Sequence, residues 1–346
     1  MNNKLFDPND ISVSNGCYYA MPYTVQESDL VLLSVPWDVT TSYRKGASSG
    51  PDAIIEASEQ LDLYDHHCGK LYRRGIATLP IDESILEDSR TYRRDAERII
   101  AHLAEGGDVK GDIARRLEKI NTASAELNDN IYRLTRGLLS DGKLIGLVGG
   151  DHSTPLGYMR AIGDHHGSFG MLHIDAHADL RDAYEGFTYS HASIMYNALR
   201  EVNGLASLTQ VAVRDYCEAE FSIIKKDERI TTFFDADMSE RLLTGGTWQA
   251  ICSDIISALP DKVYVSFDID GLSPDNCPST GTPVPGGLSF NQAVFLLDML
   301  AKSGRTIIGF DMTEVAPNPA DATNQWDANV GARLLYKLCN FTLMTN

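Results

Sequence analysis

Short runs of apolar, mostly β-branched residues recur along the chain, separated by longer segments in which apolar residues return every three or four positions. The short runs at 29–36 (DLVLLSVP), 143–149 (KLIGLVG), 168–175 (SFGMLHID), 209–214 (TQVAVR), 230–236 (ITTFFDA), 261–270 (DKVYVSFDID) and 305–312 (RTIIGFDM) read as strands. The longer segments at 51–63, 91–105, 111–140, 155–163, 191–201, 217–226, 247–259, 289–303 and 327–341 read as helices. Several strands are apolar on both faces, the pattern of a parallel sheet covered by helices on each side. Strand–helix alternation then predicts a single-domain three-layer α/β/α fold with a parallel sheet and right-handed crossovers. No linker, repeat or low-complexity tract divides the chain, so residues 1–28 read as an irregular N-terminal extension and 29–346 as one domain. Within it, the charged stretch at about 82–140 reads as solvated helical surface.

One stretch breaks the apolar pattern. In HIDAHADL, residues 173–180, Asp175, His177 and Asp179 alternate with apolar residues at the end of a strand. If the strand continued, the three side chains would converge on one face. The same thing happens at two other strand ends: GLVGGDHSTP exits into Asp151 and His152, and SFDIDGLSP carries Asp268 and Asp270 two apart. Ligands of open α/β sheets bind beyond the carboxyl ends of the strands, where all three groups fall. If these strands are neighbours, His152, Asp175, His177, Asp179, Asp268 and Asp270 meet in one crevice.

Four carboxylates that close cannot all stay ionised without compensation. Two divalent cations balance them, and the two imidazoles complete the coordination. Oxygen-rich ligation with imidazole and no thiolate suits Mn²⁺ better than structural Zn²⁺, with Ni²⁺, Co²⁺ or Zn²⁺ as other occupants. Such a pair lowers the pKa of a water held between its ions. A single DxD or HxD is ordinarily a turn or a surface cluster; three groups of the right types, each ending an apolar strand, point to a dinuclear metal site.

Composition narrows the partners. The formal net charge is −18, from 30 basic and 48 acidic residues, which argues against nucleic acid or an anionic membrane as the partner. No apolar run approaches the length that crosses a bilayer, and MNNKLFDPNDISVSNG lacks the basic start and apolar core of a signal peptide. The six cysteines are scattered with no CxxC pair and read as reduced thiols, so the expected compartment is the cytoplasm.

GGDHS at 149–153, DAHAD at 175–179 and SFDIDGLSP at 266–274 together resemble the ureohydrolase family of arginases and agmatinases. SYRKGASSGPDAI (42–54), TGTPVPGGLS (280–289) and GFDMTEVAP (309–317) are similar to further landmarks of that family, so the resemblance covers most of the chain. It implies a three-layer α/β catalytic domain, a trimeric or hexameric assembly, and hydrolysis of guanidino C–N bonds at a binuclear manganese centre. By motif position, His152 would bind one ion and His177 the other, Asp175 and Asp268 would bridge both, and Asp179 and Asp270 would complete the set. His191 in SHAS falls where relatives have a proton-shuttling histidine, and Glu314 matches the carboxylate that binds the guanidinium. Asp311 and Asp151 look like groups that orient the ligands.

The segment LRDAYEGFTY (180–189) lacks the Asn and Ser residues with which arginases hold an α-amino acid, which makes agmatine the first expected substrate. Arg181 and Asp182 are candidate substrate contacts at the mouth. An accessible Arg181 would instead favour a guanidino acid or formimidoylglutamate, whereas pairing with Asp182 or Glu185 would silence it; free guanidine is a further alternative. The rival from another class is a non-catalytic relative that keeps the metal site as a regulatory subunit.

Overall fold

The structure, a computed structural model, describes residues 7–346. Eight strands form one sheet: β1 (Leu30–Val35), β2 (Ile76–Thr78), β3 (Leu144–Gly149), β4 (Phe169–Ile174), β5 (Leu205–Val213), β6 (Ile230–Phe234), β7 (Lys262–Asp268) and β8 (Thr306–Thr313). All neighbours are parallel, in the order β2-β1-β3-β8-β7-β4-β5-β6. The helices are α1 (Gly50–Ser58), α2 (Glu83–Ala104), α3 (Gly111–Ser140), α4 (Leu156–His166), α5 (Ile194–Glu201), α6 (Glu218–Lys226), α7 (Asp235–Leu243), α8 (Trp248–Ser257), α9 (Phe290–Lys302) and α10 (Trp326–Thr345).

Alternate strand residues enter two separate cores. Leu30, Leu172, Val265 and Phe310 join α1 and α7 to α10 on one face, and Val31, Leu147, Met171 and Tyr264 join α2 to α6 on the other. This accounts for strands apolar on both faces. The three-layer parallel architecture expected from strand–helix alternation is therefore the observed one.

Three details differ from the sequence reading. β2 is only three residues long, too short to show a period. The run at 230–236 stops as a strand at Phe234, and DADMSERLL forms α7, with Asp235 and Asp237 in the first turn where helix-end partial charge favours them. The third concerns the site directly. β4 ends at Ile174 and β7 at Asp268, so Asp175 to Asp179 and Asp270 are carried by turns, not by extended strand faces.

The charged stretch at 82–140 is the helix pair α2 and α3, whose inner stripe, Ile99, Ile120 and Ile131 among others, is buried against the sheet layer. Ahead of β1 the chain is mostly irregular, but Tyr18 and Tyr19 are fully inserted: the Tyr18 hydroxyl lies 2.8 Å from Ser34 Oγ and Tyr19 donates to Ala332 O at 3.1 Å. Among the described residues no helix is long and apolar enough to cross a membrane.

Candidate metal centre and active site

β3, β8, β7 and β4 lie side by side, so their carboxyl ends share one edge of the sheet. His152 follows β3, Asp175 to Asp179 follow β4, Asp268 ends β7, and Glu314 follows β8. β8, the last strand in sequence, thus sits between the strands that deliver the other groups.

The turns that carry the carboxylates brace one another. The Ala176 N–H donates to Asp270 Oδ1 at 3.1 Å, and Asp268 Oδ1 accepts the Asp270 N–H at 2.9 Å. A Cβ at Gly271 would stand 2.9 Å from the Asp175 nitrogen, so only glycine lets the two turns approach this closely. Asp179 holds a left-handed backbone, φ 54°, which turns its carboxylate back toward His152.

His152 Nδ1 lies 3.0 Å from Asp175 Oδ2 and 3.2 Å from both Asp179 Oδ2 and Asp268 Oδ2. Its other nitrogen is 2.9 Å from Ser266 Oγ, which itself donates to Asp311 Oδ1 at 3.0 Å. Ser266 has a single proton, so His152 Nε2–H is the donor of the pair and Nδ1 turns a lone pair toward three carboxylates. His177 Nδ1 lies 3.3 Å from Asp175 Oδ1 and 3.2 Å from Asp270 Oδ2. Asp175 therefore belongs to both groups, with one oxygen in each.

These contacts fit cations. Ligands about 2.1 Å from an octahedral ion stand about 3 Å apart, the spacing seen here. A bare imidazole nitrogen aimed at carboxylates is repulsive unless a proton or a metal ion lies between. Burial and the Asp175 charge push Asp179 up to about 7, and burial with the charges of Asp270 and Asp175 pushes Asp268 well above the carboxylate range. Burial also opposes Asp175, yet the neighbouring His173, His152 and His177 hold it well below that range. Burial disfavours the charged rings of His152 and His177, but the carboxylates around them outweigh it and raise both well above the ordinary imidazole value. Divalent ions at the same positions would neutralise the four carboxylates in place of those protons. The sulfur of Cys277 donates to Ile269 O at 3.2 Å, turned to the backbone, so the donor set is nitrogen and oxygen only.

Beside the cluster is a cavity of about 160 Å³, lined among others by His152, His177, Asp179, His191, Asp268 and Glu314. Glu314 is 4% exposed; its Oε1 accepts the His152 main-chain N–H at 3.0 Å, and its Oε2 has no hydrogen-bond partner among the described residues. Burial, then the charge of Asp151, raises its pKa well above the usual range, because neither leaves its negative charge compensated. His191 starts a short turn capped by Ser190, and its Nδ1 stands 3.3 Å from Ser190 Oγ and 3.5 Å from Thr40 Oγ1. Burial and the cationic side chains around it push His191 down to about 3, so the ring is neutral at physiological pH.

Arg181 lines the same cavity, but its Nε lies 3.6 Å from Glu220 Oε2 and its guanidinium stacks 4.6 Å above the Tyr184 ring. The partner is Glu220, not the expected Asp182 or Glu185, because α6 brings its first turn against the loop and Glu220 Oε1 also accepts the Leu180 N–H at 3.0 Å. Asp182 is exposed and is not among the cavity-lining residues, so the substrate contact expected of it is not carried forward.

Other residues of the site were not singled out by the sequence. His173 and Ser266 stand two positions before Asp175 and Asp268, and extending the alternation backwards would have found both. Tyr264, which donates to Asp311 Oδ2 at 2.6 Å, follows the same rule. Arg214, which donates to the carbonyls of Asp270 at 2.7 Å and Val284 at 3.0 Å, ties the 281–287 loop to the end of β7 and gave no signal.

Comparisons with known proteins give the family and the fold. The arginase family model matches residues 28–340. The N(1)-aminopropylagmatine ureohydrolase of Synechocystis sp. is 31% identical over 320 residues, covering 91% of this chain and 89% of that protein. An agmatinase from Neisseria meningitidis serogroup C is 30% identical over 324 residues, covering 91% and 89%. Among solved structures, agmatine ureohydrolase of Thermoplasma volcanium superposes with a TM-score of 0.71 at 24% identity, covering 96% of each chain. Fold and cluster together define a binuclear-metal-dependent hydrolase of guanidino and amidine C–N bonds. The chain belongs to the arginase family.

Proposed function

We propose that this enzyme hydrolyses the guanidino group of a small cationic substrate, agmatine first, releasing urea and an amine. The observation that carries the reading is Glu314: a buried, cavity-lining carboxylate with one oxygen fixed by the His152 main-chain N–H and the other without a hydrogen-bond partner among the described residues. A guanidinium is the planar cation such a carboxylate binds. Engagement of Arg181 by Glu220 and Tyr184 supports a substrate without a carboxylate.

Two divalent ions, Mn²⁺ by donor type, held by His152, Asp175, His177, Asp179, Asp268 and Asp270, would supply a nucleophilic water at neutral pH. Glu314 holds the guanidinium carbon against that position. Asp179 orients the water and takes up its proton. His191, in the cavity wall, relays that proton to the departing nitrogen, so that guanidinium and water become urea and a protonated amine. The trimer or hexamer belongs to the same reading and is checked by light scattering.

The test is urea release by protein preincubated with Mn²⁺, Ni²⁺ or Co²⁺, comparing kcat/KM for agmatine, guanidine, arginine, guanidinobutyrate and formimidoylglutamate. Agmatine is expected to lead the series. A leading guanidino acid would give Arg181 the substrate-binding role, and bound metal without turnover on any substrate would favour the regulatory relative.

A further inference from the structure

The cluster of groups able to hold an ion contains a third histidine, His173, which the assignment of ligands does not use. It is fully buried in β4, and its Nε2 lies 2.9 Å from Asp175 Oδ2. At that distance it is either a hydrogen-bond donor to Asp175 or an additional metal ligand beside it, and the other side of the ring decides between the two.

His173 Nδ1 faces the side-chain nitrogen of Gln210 at 3.1 Å. That nitrogen also lies 2.8 Å from the carbonyl oxygen of Ala178, which can only accept. Gln210 Oε1 in turn accepts from Thr232 Oγ1 at 3.0 Å. The carbonyl of Ala178 fixes the amide with its NH₂ group toward His173, so His173 Nδ1 accepts and the ring proton resides on Nε2. A protonated Nε2 donates to Asp175 and has no lone pair for a metal.

The two oxygens of Asp175 are then treated alike. Oδ2 receives His173 Nε2–H at 2.9 Å and faces His152 Nδ1 at 3.0 Å; Oδ1 receives the His177 main-chain N–H at 2.6 Å and faces His177 Nδ1 at 3.3 Å. Each oxygen has one N–H bond that fixes its direction and keeps a lone pair on the side of one imidazole.

We propose that His173 is a positioning residue, locked in its Nε2–H tautomer by Gln210, that holds Asp175 across the two ion positions. The inference rests on the dinuclear reading and adds the device that sets Asp175 between the ions.

The test is Mn²⁺ titration by calorimetry of the parent, His173→Gln and His173→Leu. Gln places an amide N–H near the position of Nε2–H, whereas Leu fills the space without a donor. The parent and His173→Gln are expected to bind two ions, within about fivefold in affinity, while His173→Leu weakens at least one ion by about 10–100-fold. Long-range ¹H–¹⁵N spectra of histidine-labelled protein, with His173→Gln assigning the resonance, are expected to show a neutral Nε2–H ring. That measurement stands even where His173→Leu fails to fold. Parent-like affinity in His173→Leu, loss of an ion in His173→Gln, or a protonated Nδ1 would each overturn the proposal. A parent that takes up no divalent ion overturns the dinuclear reading itself.

Discussion

His152 is held at three points: its main-chain N–H by Glu314, its Nε2 by Ser266, and its Nδ1 among the carboxylates. On the proposed reading, the carboxylate that binds substrate and a ligand of the metal centre are therefore joined through one peptide group. Glu314→Gln keeps an oxygen for the His152 N–H and removes only the charge. It is expected to retain both ions by elemental analysis and to lose about tenfold to 150-fold in kcat/KM, the value of a hydrogen bond to a charged group. Undiminished activity would remove Glu314 from substrate binding. At this scale the sequence displayed the charged residues, because carboxylates and imidazoles at strand ends break an apolar pattern. Ser266, Tyr264 and Gln210 were hidden for the opposite reason: neutral polar residues inside strands do not interrupt a buried run visibly.

Among the elements, β1 and β3 meet where the site begins. The Gly150 N–H donates to Val35 O at 2.8 Å, the Glu314 N–H donates to Gly150 O at 2.8 Å, and a Cβ at Gly150 would fall 2.0 Å from the Trp37 carbonyl oxygen. Gly150→Ala must push apart the exits of β1 and β3, one residue before Asp151 and two before His152. A loss of about 1–3 kcal/mol is expected, with a parallel fall in bound metal, read by denaturant unfolding and elemental analysis. An unchanged stability would show that the exits yield freely. The alternation of strands and helices was legible, since both cores impose their period on the chain. The insertion of β8 between β3 and β7 was not, because parallel strands are paired by long crossovers that leave no local mark.

For the whole molecule, first and last parts of the fold are tied together by Asp65 and Lys337, 2.5 Å apart with side chains 4% and 19% exposed. Burial works to raise the Asp65 carboxyl, but Lys337 and the His67 main-chain N–H outweigh it and leave the group below its ordinary range. A depressed folded pKa contributes stability above the unfolded value near about 4 and loses it as pH falls through the folded one. Asp65→Asn is therefore expected to cost about 2 kcal/mol at pH 7 and progressively less as the solution is acidified below about pH 4. Equal destabilisation at neutral and acid pH, measured by urea unfolding, would show that the charge is irrelevant. The docking of Tyr18 and Tyr19 was illegible for a related reason: residues in an irregular segment have no period from which to infer burial.

The placement of β8 has a consequence in time. Residues 152, 175–179, 268–270 and 314 are spread over half the chain and meet only when the final strand has entered the middle of the sheet. All six proposed ligands precede β8, but His152 comes beside the others only once β8 fills the place between β3 and β7, and the late arrival of such distant contacts is what slows parallel folds. Ions held by these residues would then be taken up after the fold is complete and would retard unfolding without hastening assembly. A chain that carries its metal has, by that fact, passed inspection.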